Sequence, residues 1–185
     1  MTPRIPPLAI EDCDDRTAEM LSGLRRPDGA VLNIFGTLAH HPKLMNRWLG
    51  FGGVLLYGGR LPERERELLI LRTGWSCQSA YEWGQHVEFG LAAGLTDEEI
   101  ERVTLGPDAD GWSEGDRVLL RAADELHADS RIADDTWAAL AGSYDEQQLI
   151  EVCMVVGQYH LVAMTLNTLG VEPEPWLPGM PQGPA

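Results

Sequence analysis

The chain has 185 residues, enough for one domain or one close pair of helical halves, and its 44% hydrophobic content suffices for a real core. A formal charge of −15 argues against nucleic acid or an anionic membrane surface as partner, because the average field repels both. A small molecule and a second copy of the chain remain. Cys13, Cys77 and Cys153 are odd in number and widely spaced, which fits neither a zinc pattern nor a secreted disulfide framework.

Residues 1–15 are proline-rich and acidic and read as an extended arm without the apolar run of a signal peptide. No stretch reads as long and apolar enough to span a bilayer, so a cytoplasmic location is expected. Helical periodicity then runs almost without interruption: Arg16 to Leu24, Asn33 to His40, and Lys43 to Tyr57, the last stopped by Gly58 and Gly59. Pro62 opens a helix from Glu63 to Gly74, where its missing N–H costs little, and the Leu68–Leu71 run makes that helix mostly buried. A helix from Ser79 to Ala93 follows, with Gly74 helping the chain turn back between the two.

Thr96-Asp97-Glu98-Glu99 is a helix-starting pattern with acids at the positive end of the dipole. Ser113 to His127, Asp134 to Ala141 and Glu146 to Leu169 complete the set. No run has strand length with period-two alternation, so the predicted class is all-α. The domain spans residues 16–171, and the tail at 172–185 is too rich in Pro and Gly to continue a helix. Such an end is either disordered or laid across a neighbouring subunit, and Trp176 and Leu177 favour docking. A weak internal echo between ERELLILRTGWSCQSAYEWGQH and DEQQLIEVCMVVGQYHLVAM raises duplication of a helical hairpin, although buried helices resemble one another anyway.

Chemistry concentrates in RERELLILRTGWSCQSAYEWGQH. Glu82 and His86 lie four apart on one helix face, within hydrogen-bond reach, and Glu67 stands on the antiparallel helix before them. A carboxylate beside an imidazole fixes its tautomer and raises its basicity, as proton transfer near neutral pH requires. Tyr81, Trp83 and Cys77 surround the pair, so the pocket is expected to be apolar with a few polar points. A plain structural Glu–His pair has the same spacing, and the charges at Glu67 and Arg72 around LLIL speak for more.

These residues resemble the carboxymuconolactone decarboxylase-like branch of the alkylhydroperoxidase D-like superfamily, from Pro42 to Val171. The blocks carrying the resemblance are LPERERELLILRTGWSCQSAYEWGQHVEFGLAAGLTDEEI, WSEGDRVLLRAADELHADSRIADDTWAAL and VGQYHLVAMTLNTLGV. The resemblance implies an all-helical, alkylhydroperoxidase D-like bundle assembled as a homo-oligomer, with trimers or hexamers favoured. The peroxidase branch carries a Glu, then a Cys-x-x-Cys pair, then a His. Aligned on His86, the Glu falls on Glu67, but the two cysteines fall on Ser79 and Glu82, so the cycling dithiol is missing.

The decarboxylase branch also lacks the pair and keeps Glu and His here. Its chemistry removes carbon dioxide from a carboxylated unsaturated lactone and needs no cofactor. The resemblance therefore implies a lyase or isomerase in which His86 moves the proton and Glu67 and Glu82 orient it. Arg72 would hold a substrate carboxylate. The alternatives are a peroxidase using Cys77 alone and a non-catalytic binding oligomer. Cys77 has the competing reading of a small buried apolar residue.

Gln158, Tyr159 and His160 sit in an apolar helix and need partners, so Tyr159 or His160 is expected to line the pocket or to close a buried network. His40, His41 and His127 read as residues favoring helix ends. No His-x-x-x-His or Cys/His spacing appears, so no metal is expected.

Overall fold

Four consecutive apolar residues cover the whole circumference of an α-helix, so a helix carrying Leu68 to Leu71 must be surrounded on all sides. The computed structural model, which describes residues 2–181, makes that helix the axis of the fold. After a 3₁₀ turn at Ile10–Asp12 the chain forms α1 (Asp15–Ser22), α2 (Asn33–Leu38), α3 (Pro42–Tyr57), α4 (Glu63–Ser76) and α5 (Ala80–Ala92). It continues with α6 (Asp97–Val103), α7 (Glu114–Asp129), α8 (Asp134–Ala141) and α9 (Glu146–Leu169). Among the described residues every regular element is helical. The all-α class is correct.

Leu69 and Ile70 of α4 pack with Val118, Leu119 and Ala122 of α7 and with Val152, Val155 and Val156 of α9. On the other side Leu68 and Leu71 meet Trp83 of α5, Ile100 and Val103 of α6, and Leu120 of α7. The Thr96 start is a full capping box, and Asp145 caps α9 in the same way with Gln148. Glu151 of α9 binds the loop before α4, accepting from the backbone N–H groups of Arg60 and Leu61 at 2.6–2.8 Å.

Several boundaries and roles differ from the sequence reading. Gly74 does not end α4, which runs on to Ser76. The reversal into α5 is made by Gln78 in the left-handed region at φ 52°. The internal echo compares unlike structures, a hairpin (α4–α5) and the single 24-residue helix α9. That helix also corrects the expectation about spans, since it is long and apolar enough by length and composition to cross a membrane. Here Leu149, Val152, Val156, Tyr159, Ala163 and Leu166 of α9 are buried within the protein, as in a core helix.

Both ends of the described chain lie on the chain itself. Leu8 N–H donates to the Gly36 carbonyl (3.0 Å), Arg4 N–H to that of Leu169 (2.8 Å), and His40 Nε2 meets the Pro6 carbonyl (3.0 Å). His41 caps the start of α3, not the C-terminal end where a cationic His would be favoured. Its Nδ1 accepts from Leu44 N–H. In the tail, buried Glu174 accepts from Asn33 N–H (2.7 Å), Tyr81 O–H (2.9 Å) and Gln85 Nε2 (3.0 Å). Leu177 lies over α5 so closely that a Cβ at Gly84 would stand 3.1 Å from its own.

Candidate active site

Glu67 sits at the centre of α4 with no solvent exposure, because α5, α7 and α9 enclose that helix. His86 projects from the antiparallel α5, and its Nδ1–H donates to Glu67 Oε2 at 2.7 Å. The second carboxylate oxygen accepts from Arg66 Nε at 3.0 Å. Holding Nδ1 in this way fixes the tautomer and leaves Nε2 for other work. The imidazole is fixed further by the edge of Tyr159, whose ring lies 4.7 Å away at 90°, and by Phe89 at 5.3 Å.

Glu82 does something the spacing did not predict. It makes no hydrogen bond to His86, one turn along the same helix. Neither of its buried oxygens has a hydrogen-bond partner among the described residues. Its carboxyl instead fills the space left by Gly74 on α4, where an added Cβ would come within 3.1 Å of Glu82 Oε1. The glycine assigned to the turn thus provides room for an acid. Burial without a partner pushes the Glu82 carboxyl well above the usual carboxylate range, so its neutral form is favoured.

Glu82 and His86 line a cavity of about 390 Å³ together with Tyr81, Gln85, Gln158 and Tyr159. Its apolar walls come from Phe35, Trp48 and Leu56 on one side and Val162 and Leu166 on the other. The size suits a small organic molecule. Burial and the Glu67 and Glu82 carboxyls keep the Tyr159 phenol far above its ordinary range. The cavity also receives Arg26, whose guanidinium stacks over Trp176 at 5.0 Å from the ring centroid. Sequence reasoning missed Arg26, a loop residue with no motif around it.

Four residues expected at the pocket lie elsewhere. Arg72 is five positions from Glu67, about 140° around the helix, so it faces away. Its guanidinium forms a two-pronged pair with Asp124 (2.6 and 3.0 Å) and donates to the Val103 carbonyl at the end of α6. Trp83 is part of the apolar core beside Trp75. Cys77 and His160 lie outside the cavity and meet His127 instead, with Cys77 Sγ 3.9 Å and His160 Nε2 2.9 Å from His127 Nδ1. Burial, with the Glu82 carboxyl second, pushes the Cys77 thiol up to about 11.

Fold and site together define an all-helical protein with a sheltered acid–imidazole cavity. The model of the carboxymuconolactone decarboxylase family matches residues 42–125, which include Glu67, Glu82 and His86. Over that segment the chain is similar to the carboxymuconolactone decarboxylase family. Among solved structures, a peroxidase-related protein from Ralstonia eutropha with an alkylhydroperoxidase core aligns at a TM-score of 0.82 and 20% identity, over 95% of this chain and 94% of that one. A peroxidase-related protein from Silicibacter aligns at 0.81 and 16% identity, over 95% of both chains. The debrominase Bmp8 aligns at 0.76 and 14% identity, over 92% of both. These likenesses establish the shared fold. No protein in the curated comparison matches the sequence.

Proposed function

We propose that the chain is a cofactor-independent lyase or isomerase that moves protons on a small carboxylated, carbonyl-conjugated molecule. The family match over residues 42–125 and the fold shared with peroxidase-related proteins support a decarboxylase- or peroxidase-like role in general terms. The observation carrying the finer reading is the Glu67–His86 hydrogen bond at the wall of an apolar cavity, with the buried, unpartnered Glu82 carboxyl beside it. In the decarboxylating version the bond to the carboxylate breaks and its electron pair passes into the conjugated carbonyl system. A proton carried by His86 Nε2 then closes the carbon, and Glu67 compensates the charge on the ring. In the isomerising version His86 takes a proton from one carbon and returns it to another. Either way Glu82 adds no negative charge against an anionic substrate and provides an acidic proton close by. Arg26 takes the carboxylate-holding role first given to Arg72.

The peroxidase reading draws less support, since Cys77 stands outside the cavity and its thiol resists ionisation. Three free cysteines suit a reducing compartment, so the cytoplasm stays the proposed location. A panel of carboxylated unsaturated lactones and β-keto acids, followed by carbon dioxide release and by deuterium uptake from heavy water, tests the reaction. His86→Ala is expected to lower kcat about 100-fold on whichever compound turns over. Full turnover in that variant would remove His86 from the chemistry.

Self-association is part of the same proposal. Leu44, Phe51, Val54 and Tyr57 on α3 are exposed, as are Ile150, Met154, Leu161 and Met164 on α9, forming two apolar stripes on helices that touch. Such surface favours covering by a second copy. Leu161→Glu is expected to shift the molar mass from light scattering towards the single chain of 20.4 kDa. A single-chain mass in the unmodified protein would end the proposal.

A further inference from the structure

We propose a second site, separate from the His86 cavity, that binds one divalent transition metal of the zinc class through Cys77, His127 and His160. Three helices bring these side chains together: Cys77 caps the end of α4, His127 lies in the last turn of α7, and His160 lies midway along α9. One donor atom from each lies within 4.8 Å of the others. A tetrahedral zinc ion with one sulfur and two nitrogens holds its donors about 3.3–3.6 Å apart. The observed separations of 3.9 Å for sulfur to nitrogen and 2.9 Å between ring nitrogens bracket that range. The third pair, Cys77 Sγ and the His160 nitrogen, lies within 4.8 Å, so side-chain rotations that move the donors by up to about an ångström would close the set.

The surroundings favour a cation over a simple hydrogen-bonded cluster. His160 Nδ1–H donates to the Val156 carbonyl at 2.8 Å, which fixes the tautomer and directs the Nε2 lone pair at His127. This backbone anchoring is the usual outer support of a metal-binding histidine. His127 is exposed and the other two are half-buried, so the fourth position opens to solvent. Three protein ligands with an open position match reactive zinc sites more than closed structural ones.

Cobalt(II) titrated into the untagged, metal-stripped chain tests the site. One equivalent is expected to bind with a sulfur-to-cobalt charge-transfer band in the near ultraviolet, and one equivalent of zinc(II) to displace it. Cys77→Ser should abolish the band, and His127→Ala or His160→Ala should weaken binding at least tenfold, with the far-ultraviolet helical signal unchanged. Cys13→Ser and Cys153→Ser should leave everything as it was. Absence of the band in the unmodified chain, or its survival in Cys77→Ser, would overturn the proposal. Because neither readout involves turnover, the result stands apart from the fate of the His86 mechanism.

Discussion

Replacing Glu67 by alanine is expected to cost the fold about 3–5 kcal/mol, seen as a lower urea midpoint at an unchanged slope. Glu67 is fully enclosed and serves two donors at once, Arg66 Nε at 3.0 Å and His86 Nδ1 at 2.7 Å. The Arg66 side chain is itself only 9% exposed and has no other acceptor within hydrogen-bond distance among the described residues. Removing the carboxylate leaves a buried guanidinium and a buried ring N–H without partners, and those desolvation costs are no longer offset. The cavity left by the lost side chain adds to them. Glu67→Gln keeps the volume and one carbonyl acceptor, so it should lose less. A Glu67→Ala cost under about 1 kcal/mol, the level of a solvated surface pair, would mean that water reaches this cluster and that the cavity is not sheltered.

Glu82→Gln is expected to act in the opposite direction, and more strongly as pH rises. Burial holds the folded-state carboxyl well above its ordinary 4.5. Below that value both folded and unfolded chains keep the proton, and Glu82 carries no ionisation penalty. Above it the unfolded chain releases the proton while the folded chain retains it. Stability then falls by about 1.4 kcal/mol per pH unit, until the folded carboxyl ionises as well. Glutamine has no proton to release. The stability difference between variant and unmodified protein should therefore grow in the variant's favour from about pH 5 upward, as read by denaturant titrations at pH 5, 6 and 7. Any cost of the unpartnered amide beside Gly74 is independent of pH and shifts the curve without changing its slope. A difference that stays flat across this range would show that Glu82 finds a partner or water. The same variant separates structural from chemical roles, since an acid needed for turnover is lost while the fold gains.

Arg72 shows where one-dimensional reasoning fails. An arginine next to a buried apolar run reads as a candidate for holding an anion, but its bearing around α4 points it at Asp124 and the end of α6. There it ties α4 to α6 and α7, a structural role. The metal candidate is the reverse case. Cys77, His127 and His160 are 50 and 33 residues apart along the chain, so no spacing pattern could join them.

The sequence by itself determined the helical class, the burial of α4 and the meeting of Glu67 with His86. Those features follow from local periodicity and from two adjacent helices turning back on each other. Tertiary structure decided the rest, because it depends on which face of each helix meets which neighbour. Glu67 occupies His86 Nδ1 and leaves Glu82 to lie unpartnered against Gly74. Arg26 reaches the cavity from a distant loop. Long-range packing sets the distances between such groups, and a single chain's pattern of residues carries no record of them.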